Sequence, residues 1–525
     1  MYYGYVSRLV VIIFLPLLFS CGGGAGSSRP GEGQFVMVHR TDDYGLHDLY
    51  QVRENGGGLL KIEANAWYHG FSSSSGRIVY TRKQSDAYVY QVCDAWPICH
   101  DYNGVVQHSV LYTANSDGSN PVAFESYPDN QYIDYVSSPV VLQHGFIALT
   151  ANERVVYSRN SEVWSTHVNG SGTIVLPFSG SETIESVNDS GRLIYSSSFS
   201  PGSLYSIMDD GTGQVTLVDS TNNERTLYHN RAGEIFYSLD NNGQLDIHRV
   251  MEDGSSPTTV ASAVCLSGDG CTLTVLGISP GDRLVFGRTY IDASLVLQKE
   301  IYAVKTDASE APQLLCDTVS SGFCKFQSIT PNGRVLVSTE DPASPGSGNV
   351  YSYNEDGSDK ASPVLISALS TADVLKGFTP SGRIMFERFE GYGPGSKPYY
   401  DLYTIDDLGK SELPLMVTGG EDDRFAGISR SGKIIIQRTD NIVKKLYIAN
   451  EVGSGAMLLA TVDFGGQDGV NVANASTING RVIYVSRIFT SPTTFQTDLH
   501  SVREDGADDV ILASSPYSES FAGMF

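Results

Sequence analysis

The chain has 525 residues, 41% of them hydrophobic, and its 59 acidic and 35 basic residues give a formal net charge of −24. A surplus of negative charge this large argues against nucleic acid or an anionic lipid surface as a partner. The acidic residues do not gather into one run, so the sequence predicts no acidic tail, and the charge indicates solubility.

Residues 1–20 have the pattern of a secretion signal. Arg8 precedes an apolar run from Leu9 to Phe19, which is too short for a bilayer span of roughly 20 residues. The end of this run and the two residues after it, Leu18-Phe19-Ser20-Cys21, resemble the lipobox of bacterial lipoproteins. The resemblance implies cleavage before Cys21 and attachment of lipid to its sulfur, which would hold the protein on a membrane. The alternative is an ordinary signal peptide with a chance cysteine.

The segment after the cysteine, "GGGAGSSRPGEG", cannot bury apolar surface. It predicts a flexible tether over residues 21–33 with a root-mean-square span of about 20 Å. Gly22 resembles the residue found after the cysteine in lipoproteins of the Gram-negative outer membrane. That likeness implies an exported, lipid-anchored protein of the outer membrane, on its periplasmic side or on the cell surface. The folded part is predicted to span residues 34–525.

The other six cysteines fall into three close pairs, which are Cys93 with Cys99, Cys265 with Cys271, and Cys316 with Cys324. Export to an oxidising compartment favours local disulfides, each stabilising the fold by about 2 to 3 kcal/mol. Zinc ligands usually come as closer pairs backed by others, so a metal site is the weaker interpretation. The sequence predicts three disulfides and gives no sign of a cofactor.

A short strand after a Gly-Arg-like turn recurs along the chain, as in "GRIVY" at 76, "GRLIY" at 191, "GRVLV" at 333 and "GRVIY" at 480. A second strand follows within each unit, as in "SLYSIMDDGTG", "NVYSYNEDGS" and "DLYTIDDLGK". From residue 191 onward the spacing is about 42 to 52 residues, a length that holds four strands. Period-2 alternation and Asp-Gly turns indicate hairpins, and no stretch has a sustained helical period. The chain is therefore predicted to be all-β.

These units resemble the WD-like propeller repeats of the TolB type. The likeness is carried by "ITPNGRVLVSTED" with "NVYSYNEDGS" and by "FTPSGRIMFERF" with "DLYTIDDLGK". It covers nearly the whole mature chain and implies a β-propeller of four-stranded antiparallel blades. It implies no single activity, since such repeats occur in binding proteins and as non-catalytic domains of enzymes.

About ten units can be counted, and the two ends of the chain complement each other. The first unit, from "GQFVMVHR", lacks its leading strand, whereas the C-terminal "SESFAGMF" copies the leading strand "DRFAGIS" with no unit after it. The last strand is therefore predicted to complete the first blade and close the ring, which removes exposed sheet edges. Two smaller rings, or fewer blades with degenerate units, remain alternatives.

Loop lengths indicate where a partner would bind. With strands a to d from the centre to the rim, the a–b and c–d turns form one face, called here the short-turn face, and they are uniformly short. The b–c and d–a connections form the opposite, long-loop face, and it receives the insertion from Lys83 to Gln107, residues 387–400 and residues 486–497. The candidate binding residues on that face are Trp96, His100, Tyr102, Phe389, Tyr392, Tyr399, Tyr400, Phe489 and Phe495.

The sequence gives little support for catalysis. It contains no H-E-x-x-H, and the recurrent arginines Arg77, Arg192, Arg334, Arg383 and Arg481 are expected to be exposed turn residues. The leading hypothesis is a non-enzymatic, membrane-tethered module that binds an envelope protein or glycan through the long-loop face. The alternative is a propeller enzyme acting on a polysaccharide, for which His100, His108 or His229 would have to converge on a metal.

Overall fold

The computed structural model describes residues 35–524 apart from a set of short segments. Outside the description lie residues 1–34, 42–46, 96–97, 125–143, 160–161, 179–181, 189, 198–202, 220–223, 231, 242–243, 267–270, 293, 295, 318–322, 342–343, 370–372, 394–397, 417–420, 441–442, 464–474, 477–479, 490–494, 515–517 and 525. The lipobox and Cys21 therefore lie outside the described residues. Within the description, no helix of sufficient length and apolarity to cross a bilayer is found.

The described residues form forty strands. The first twenty are β1 (Phe35–Thr41), β2 (His47–Arg53), β3 (Leu60–Glu63), β4 (Ala66–Ser72), β5 (Arg77–Ala95), β6 (Ile98–Asn115), β7 (Val122–Ala123), β8 (His144–Leu149), β9 (Arg154–Arg159), β10 (Glu162–His167), β11 (Ile174–Val175), β12 (Glu182–Val187), β13 (Arg192–Ser197), β14 (Leu204–Met208), β15 (Val215–Val218), β16 (Glu224–His229), β17 (Glu234–Asn241), β18 (Gln244–Met251), β19 (Thr258–Leu266) and β20 (Thr272–Ile278). The second twenty are β21 (Arg283–Ile291), β22 (Leu297–Lys305), β23 (Gln313–Asp317), β24 (Phe323–Ile329), β25 (Val335–Asp341), β26 (Ser344–Tyr353), β27 (Val364–Leu369), β28 (Val374–Phe378), β29 (Ile384–Tyr392), β30 (Pro398–Ile405), β31 (Leu413–Met416), β32 (Asp422–Ile428), β33 (Ile434–Asp440), β34 (Val443–Ala449), β35 (Met457–Asp463), β36 (Ala475–Ser476), β37 (Arg481–Phe489), β38 (Phe495–Arg503), β39 (Val510–Ala513) and β40 (Ser518–Met524).

The strands pair into ten antiparallel four-stranded sheets, and each sheet is one blade. Blades 2 to 10 take four consecutive strands each, from β4–β7 to β36–β39. Blade 1 has the order β3-β2-β1-β40, so the C-terminal strand supplies its innermost strand. Residues 36–41 of β1 pair with Met524 back to Ser518. The predicted closure of the first blade by the chain's end is confirmed.

Ten apolar clusters show that the blades form a single ring. Each cluster lies between two consecutive blades, and together they join every neighbouring pair. The last cluster packs Val36 and Val38 of blade 1 against Ile483 and Leu499 of blade 10. Because both faces of a blade are covered by neighbours, the core is a series of sheet-to-sheet interfaces. One ten-bladed ring is therefore formed, and the alternatives of two rings or fewer blades are excluded.

Aromatic pairs across strands b and c explain the recurrent Tyr of the second strand. Tyr195 lies opposite Tyr205, and Phe286 lies opposite Tyr302. Their rings stack at centroid distances of 5.2 and 5.3 Å, respectively. Cross-strand aromatic pairs are among the stronger contacts in a sheet. The Leu-Tyr motif is thus a packing motif inside each blade.

The recurrent arginine at the start of strand b is not an exposed turn residue, so that prediction is wrong. Arg77, Arg334 and Arg481 are only 9%, 8% and 7% exposed. Arg481 donates from Nε to Ser501 Oγ at 2.7 Å and from Nη2 to the Ser501 carbonyl oxygen at 2.9 Å. The guanidinium has five donors in a fixed plane, so it can be satisfied inside the sheet by hydroxyl and carbonyl oxygens. The same contacts recur at Arg383, while Arg192 reaches a hydroxyl and a turn carbonyl.

Acidic side chains of the c–d turns connect neighbouring blades on the short-turn face. Asp407 of blade 8 accepts hydrogen bonds from Thr330 Oγ1 at 3.2 Å and Asn332 Nδ2 at 3.0 Å, both in the a–b turn of blade 7. Glu252 of blade 5 likewise accepts from Ser190 Oγ of blade 4 at 3.2 Å. Charge-assisted bonds of this kind are stronger than neutral ones. The short-turn face is therefore part of the ring's own framework.

The insertion from Lys83 to Gln107 is not an irregular loop. β5 and β6 stay paired from Arg77 opposite Asn115 out to Ala95 opposite Ile98, with one register shift between Cys93 and Ala95, so the insertion extends the hairpin of blade 2. β4 pairs with β5 only as far as Arg82, and beyond that point the hairpin is two-stranded. The backbone places Cys93 directly opposite Cys99. The side chains of residues 85–107 in this extension lie outside the description.

One predicted cysteine pair is described in full. Cys316 at the end of blade 6 and Cys324 at the start of blade 7 form a disulfide with a Cα–Cα distance of 6.1 Å. It ties two consecutive blades together within their shared apolar cluster. Cys271 is also disulfide-bonded. The side chains of Cys93, Cys99 and Cys265 lie outside the description, so those two pairings stay predictions.

Candidate ligand-binding site on the long-loop face

Four of the nine candidate binding residues have described side chains, and all four lie on one hairpin. They are Phe389 and Tyr392 of β29 and Tyr399 and Tyr400 of β30, in blade 8. Trp96 lies outside the described residues, as do the side chains of His100, Tyr102, Phe489 and Phe495. The hairpin of blade 8 is therefore the part of the predicted face whose chemistry can be examined.

Three of the rings form a ladder along this hairpin. Phe389 lies opposite Tyr400 in the register, and the two rings meet edge to face at 5.6 Å. The Tyr392 ring also meets the Phe389 ring edge to face, at 5.3 Å. Tyr392 is 71% exposed, whereas its two neighbours are half-buried. Edge-to-face contact of this kind holds an exposed ring in a fixed orientation.

A bulge gives the hairpin tip its shape. The register shifts between Phe389 and Gly391, which leaves Glu390 as the extra residue, and its carboxylate accepts the Tyr403 hydroxyl at 2.8 Å. Gly391 has a φ of 146° and lies beneath the Tyr399 ring, where an added Cβ would be 3.4 Å from Tyr399 Cε1. Bulges commonly re-aim side chains at functional edges of sheets. Here the bulge ends the regular ladder just before Tyr392.

The inner end of the ladder is held by Arg424 of blade 9. Its guanidinium carbon lies 3.7 Å from the centroid of the Tyr400 ring, and Nη1 donates to Glu387 Oε2 at 2.9 Å. Glu387 is fully buried and also receives Lys376 Nζ at 2.9 Å and the Phe425 amide at 2.8 Å. Burial disfavours the charge on Arg424, but Asp422 and Glu387 outweigh it and raise the pKa of Arg424. A cation–π contact with a fixed arginine thus anchors Tyr400.

A second arginine in blade 9 is held in the same way. Arg438 donates from Nε and Nη2 to the two oxygens of buried Asp423 at 2.7 and 3.0 Å, and its Nη1 lies 3.1 Å from Glu421. Burial opposes its charge, but the bonds to Asp423 raise the pKa of Arg438. Ile434 and Ile436 of the same strand pack against blade 8, so Arg438, two residues further on, faces blade 8 as well. The polar side chains of blade 9 therefore stand opposite the aromatic ladder.

Sequence reasoning found the rings of this site and missed the charges. Glu387, Asp422 and Arg424 lie in "MFERF" and "EDDRF", whose pattern predicts strands and gives no indication of the ion pairs. A signal was available, because the equivalent part of the last strand, "SESF", has no arginine before its phenylalanine. The arginine of "DDRF" is therefore a difference from the terminal copy of the same strand that the sequence itself shows.

A group of imidazoles lies at the long-loop end of blades 1 and 2. The ring of His39 is 4.5 Å from that of Trp67 and 6.0 Å from that of His47, while His69 stacks on Phe146 at 4.6 Å. Burial lowers the pKa of His69 to about 4. His229, considered for a metal, instead shares a hydrogen bond of 2.6 Å between Nδ1 and Ser186 Oγ. Among the described residues, no group of three or more His, Cys, Asp or Glu side chains is arranged to hold a metal ion.

Comparison with protein-family models and with curated proteins finds no match. Solved structures with some similarity include the tricorn protease, at 10% identity over 91% of this chain and 46% of that chain with a TM-score of 0.33. The dipeptidyl peptidase 4 of Porphyromonas gingivalis is 12% identical over 90% of this chain and 64% of that one, with a TM-score of 0.39. A putative TolB from Agrobacterium tumefaciens is 15% identical over 50% of this chain and 88% of that one, with a TM-score of 0.25.

These likenesses carry no activity over to this chain. The chain spans less than two thirds of each of the two peptidases, and every TM-score is below 0.5. The propeller fold described above rests on the ten sheets and the ten clusters that join them. Function has to be argued from the site.

Proposed function

We propose that this protein is a non-enzymatic binding module of the bacterial cell envelope. Lipid attached to Cys21 would anchor it at the outer membrane, and residues 21–33 would act as the tether. The long-loop face of the propeller would receive the partner. The lipobox-like sequence and the glycine-rich segment after it support the anchoring.

The observation that carries the binding role is the exposure of Tyr392 on a fixed support. Tyr392 is 71% exposed and rests against Phe389, which in turn rests against Tyr400, so the exposed ring has a packed support on the protein itself. Rigid aromatic anchors are favoured in binding surfaces because little conformational entropy is lost when they are covered. The ring framework needs no exposed ring at this position, since its cores lie between the blades.

Crosslinking in intact cells tests the proposal. A photoreactive amino acid replaces Tyr392 in the full chain, and a matched variant carries it at Ser358, which is exposed in a c–d turn of the short-turn face. We expect a discrete adduct, to a protein or to a glycan, from position 392 and none from position 358. The same adducts from both positions, or none from position 392, would refute the binding role.

A further inference from the structure

We propose that the surface where the long-loop ends of blades 8 and 9 meet binds a neutral glycan. This inference rests on the proposed function, because it names the ligand class of the same surface. This surface has two sides of different chemistry, called here the aromatic wall and the polar wall, and they touch where Arg424 lies on the Tyr400 ring. The ladder of Phe389, Tyr392 and Tyr400 forms one wall, and the ionic side chains of β32 to β34 in blade 9 form the other.

The aromatic wall offers a flat apolar surface at its outer end. Tyr392 is the most exposed of the large hydrophobic side chains in the described part of the chain, and it is supported from one side by Phe389. The axial C–H groups of a pyranose form an apolar face of about the same size as a phenol ring. Stacking of the two removes apolar surface from water without displacing any polar contact of the protein.

The polar wall is partly exposed and already paired within itself. Arg424 contacts Asp422 and Glu387, and the exposed fractions of the Arg424 and Asp422 side chains are 33% and 27%. Further out, Lys445 Nζ lies 3.3 Å from Asp440 Oδ2, and those side chains are 27% and 39% exposed. Both residues face blade 8, because Tyr447 and Ile436, two and four residues away on the same strands, pack against it. The wall therefore presents fixed donors and fixed acceptors side by side.

The pairing of the charges selects the ligand's chemistry. A sugar hydroxyl can donate to a carboxylate and accept from a neighbouring guanidinium, so it can bond to both members of an ion pair. An anionic polymer would be repelled by Asp422, Asp440 and buried Glu387. Their cationic partners, Arg424 and Lys445, are already neutralised by these ion pairs. A cationic polymer would likewise be repelled by Arg424 and Arg438, whose acidic partners are already neutralised. A neutral ligand rich in hydroxyl groups meets neither repulsion.

Affinity gel electrophoresis of the detergent-solubilised full chain tests this inference. The gels contain either neutral polymers (a β-glucan, a mannan or a galactan) or anionic ones (alginate or polygalacturonate). We expect at least one neutral polymer to retard the protein and Tyr392→Ala to raise its Kd by about tenfold or more. Tyr392→Phe keeps the ring and should retain most of the affinity. Leu408→Ala is the control, because Leu408 is 48% exposed in the c–d turn of the same blade, on the short-turn face.

Each other outcome overturns the inference. Retardation by the anionic polymers alone, no retardation by any polymer, or equal losses in Tyr392→Ala and Leu408→Ala would each refute a neutral-glycan site. The crosslinking result then separates the two proposals. A protein adduct from position 392 without retardation by any polymer leaves the binding role standing and removes the glycan, whereas absence of both removes the binding role as well.

Discussion

The two faces of the propeller are built from the same strands, but they differ in which side-chain contacts recur from blade to blade. On the short-turn face, a buried arginine bonds strand b to strand c in blade after blade, and turn acids bond to the preceding blade. On the long-loop face, Arg424 of blade 9 contacts both Tyr400 and Glu387 of blade 8, and among the described residues no second cation–π contact joins two blades. Features that every blade shares are explained by the fold, so features confined to one interface are the candidates for function.

Removal of the closing strand should give the largest effect on the ring. A chain lacking residues 518–525 would leave the inner edge of β1 unpaired along Val36 to Thr41. We expect hydrogen-exchange protection of the β1 amides to fall by about 1000-fold, equivalent to about 4 kcal/mol, and the protein to self-associate through the open edge. Size-exclusion chromatography would measure the association.

The control for this deletion is the missing strand itself. A synthetic peptide with the sequence "SESFAGMF", added in excess, should pair with β1 and restore the protection. Unchanged protection of β1 in the shortened chain would contradict the closure by the C-terminal strand.

The second prediction tests the short-turn face through a single arginine. Arg154 is 5% exposed, and its Nε donates to Ser165 Oγ at 2.8 Å and to the Asp209 carbonyl oxygen at 3.0 Å. Arg154→Met would leave these acceptors, together with the Gly172 carbonyl, buried without a donor. We expect a loss of about 3 kcal/mol in the local stability of blade 3, measured by hydrogen exchange of β10.

An exposed arginine on the same face provides the matched control. The side chain of Arg503 is 52% exposed and pairs with Asp505 in a c–d turn, so Arg503→Met should change stability by no more than about 0.5 kcal/mol. If the two variants lost equal stability, burial of the repeated arginine would not be what holds the blade.

The fold could be predicted from the sequence more fully than the site. The Gly-Arg turns, the Leu-Tyr strands and the copied terminal strand gave the blade type and its closure, because each is a local pattern that recurs. The burial of Arg77 or Arg481 could not be read from the pattern, since an arginine after a turn glycine is as compatible with solvent as with a carbonyl-lined pocket. The Arg424–Tyr400 contact was also hidden, because it joins two blades that only the closed ring brings together.

The third prediction concerns acid and the long-loop end of blades 1 and 2. His39 is 3% exposed, and its Nε2 accepts the Tyr68 amide at 3.0 Å. Burial, with His47 and His69 nearby, lowers the pKa of His39 from 6.5 to about 4. Between these two values the unfolded chain binds the proton and the folded chain does not, so stability falls as the pH drops from 6.5 to 4. The expected loss from His39 is about 2 kcal/mol.

Urea unfolding at pH 7 and at pH 4.5 would measure this dependence. In His39→Gln the side-chain carbonyl can still accept the Tyr68 amide and nothing titrates at this position, so the variant should lose less stability than the wild type on acidification. A parallel fall of both proteins over this interval would place the acid sensitivity elsewhere in the molecule.

The smallest effect on stability is expected at the residue that matters most for binding. Tyr392 contributes one edge-to-face contact with Phe389 and is otherwise exposed, so Tyr392→Ala should change the free energy of unfolding by no more than about 0.5 kcal/mol. In a competition assay, Tyr392→Ala should fail to compete with the wild-type protein for the crosslinked partner. Leu408→Ala should behave as wild type in both measurements. Arg154→Met should show the opposite pattern, with lower stability and, in the fraction that stays folded, unchanged binding. If Tyr392→Ala instead destabilised blade 8 by several kcal/mol, the exposed ring would be part of the ring's framework. The difference between the short-turn face and the long-loop face would then no longer support a binding role for Tyr392.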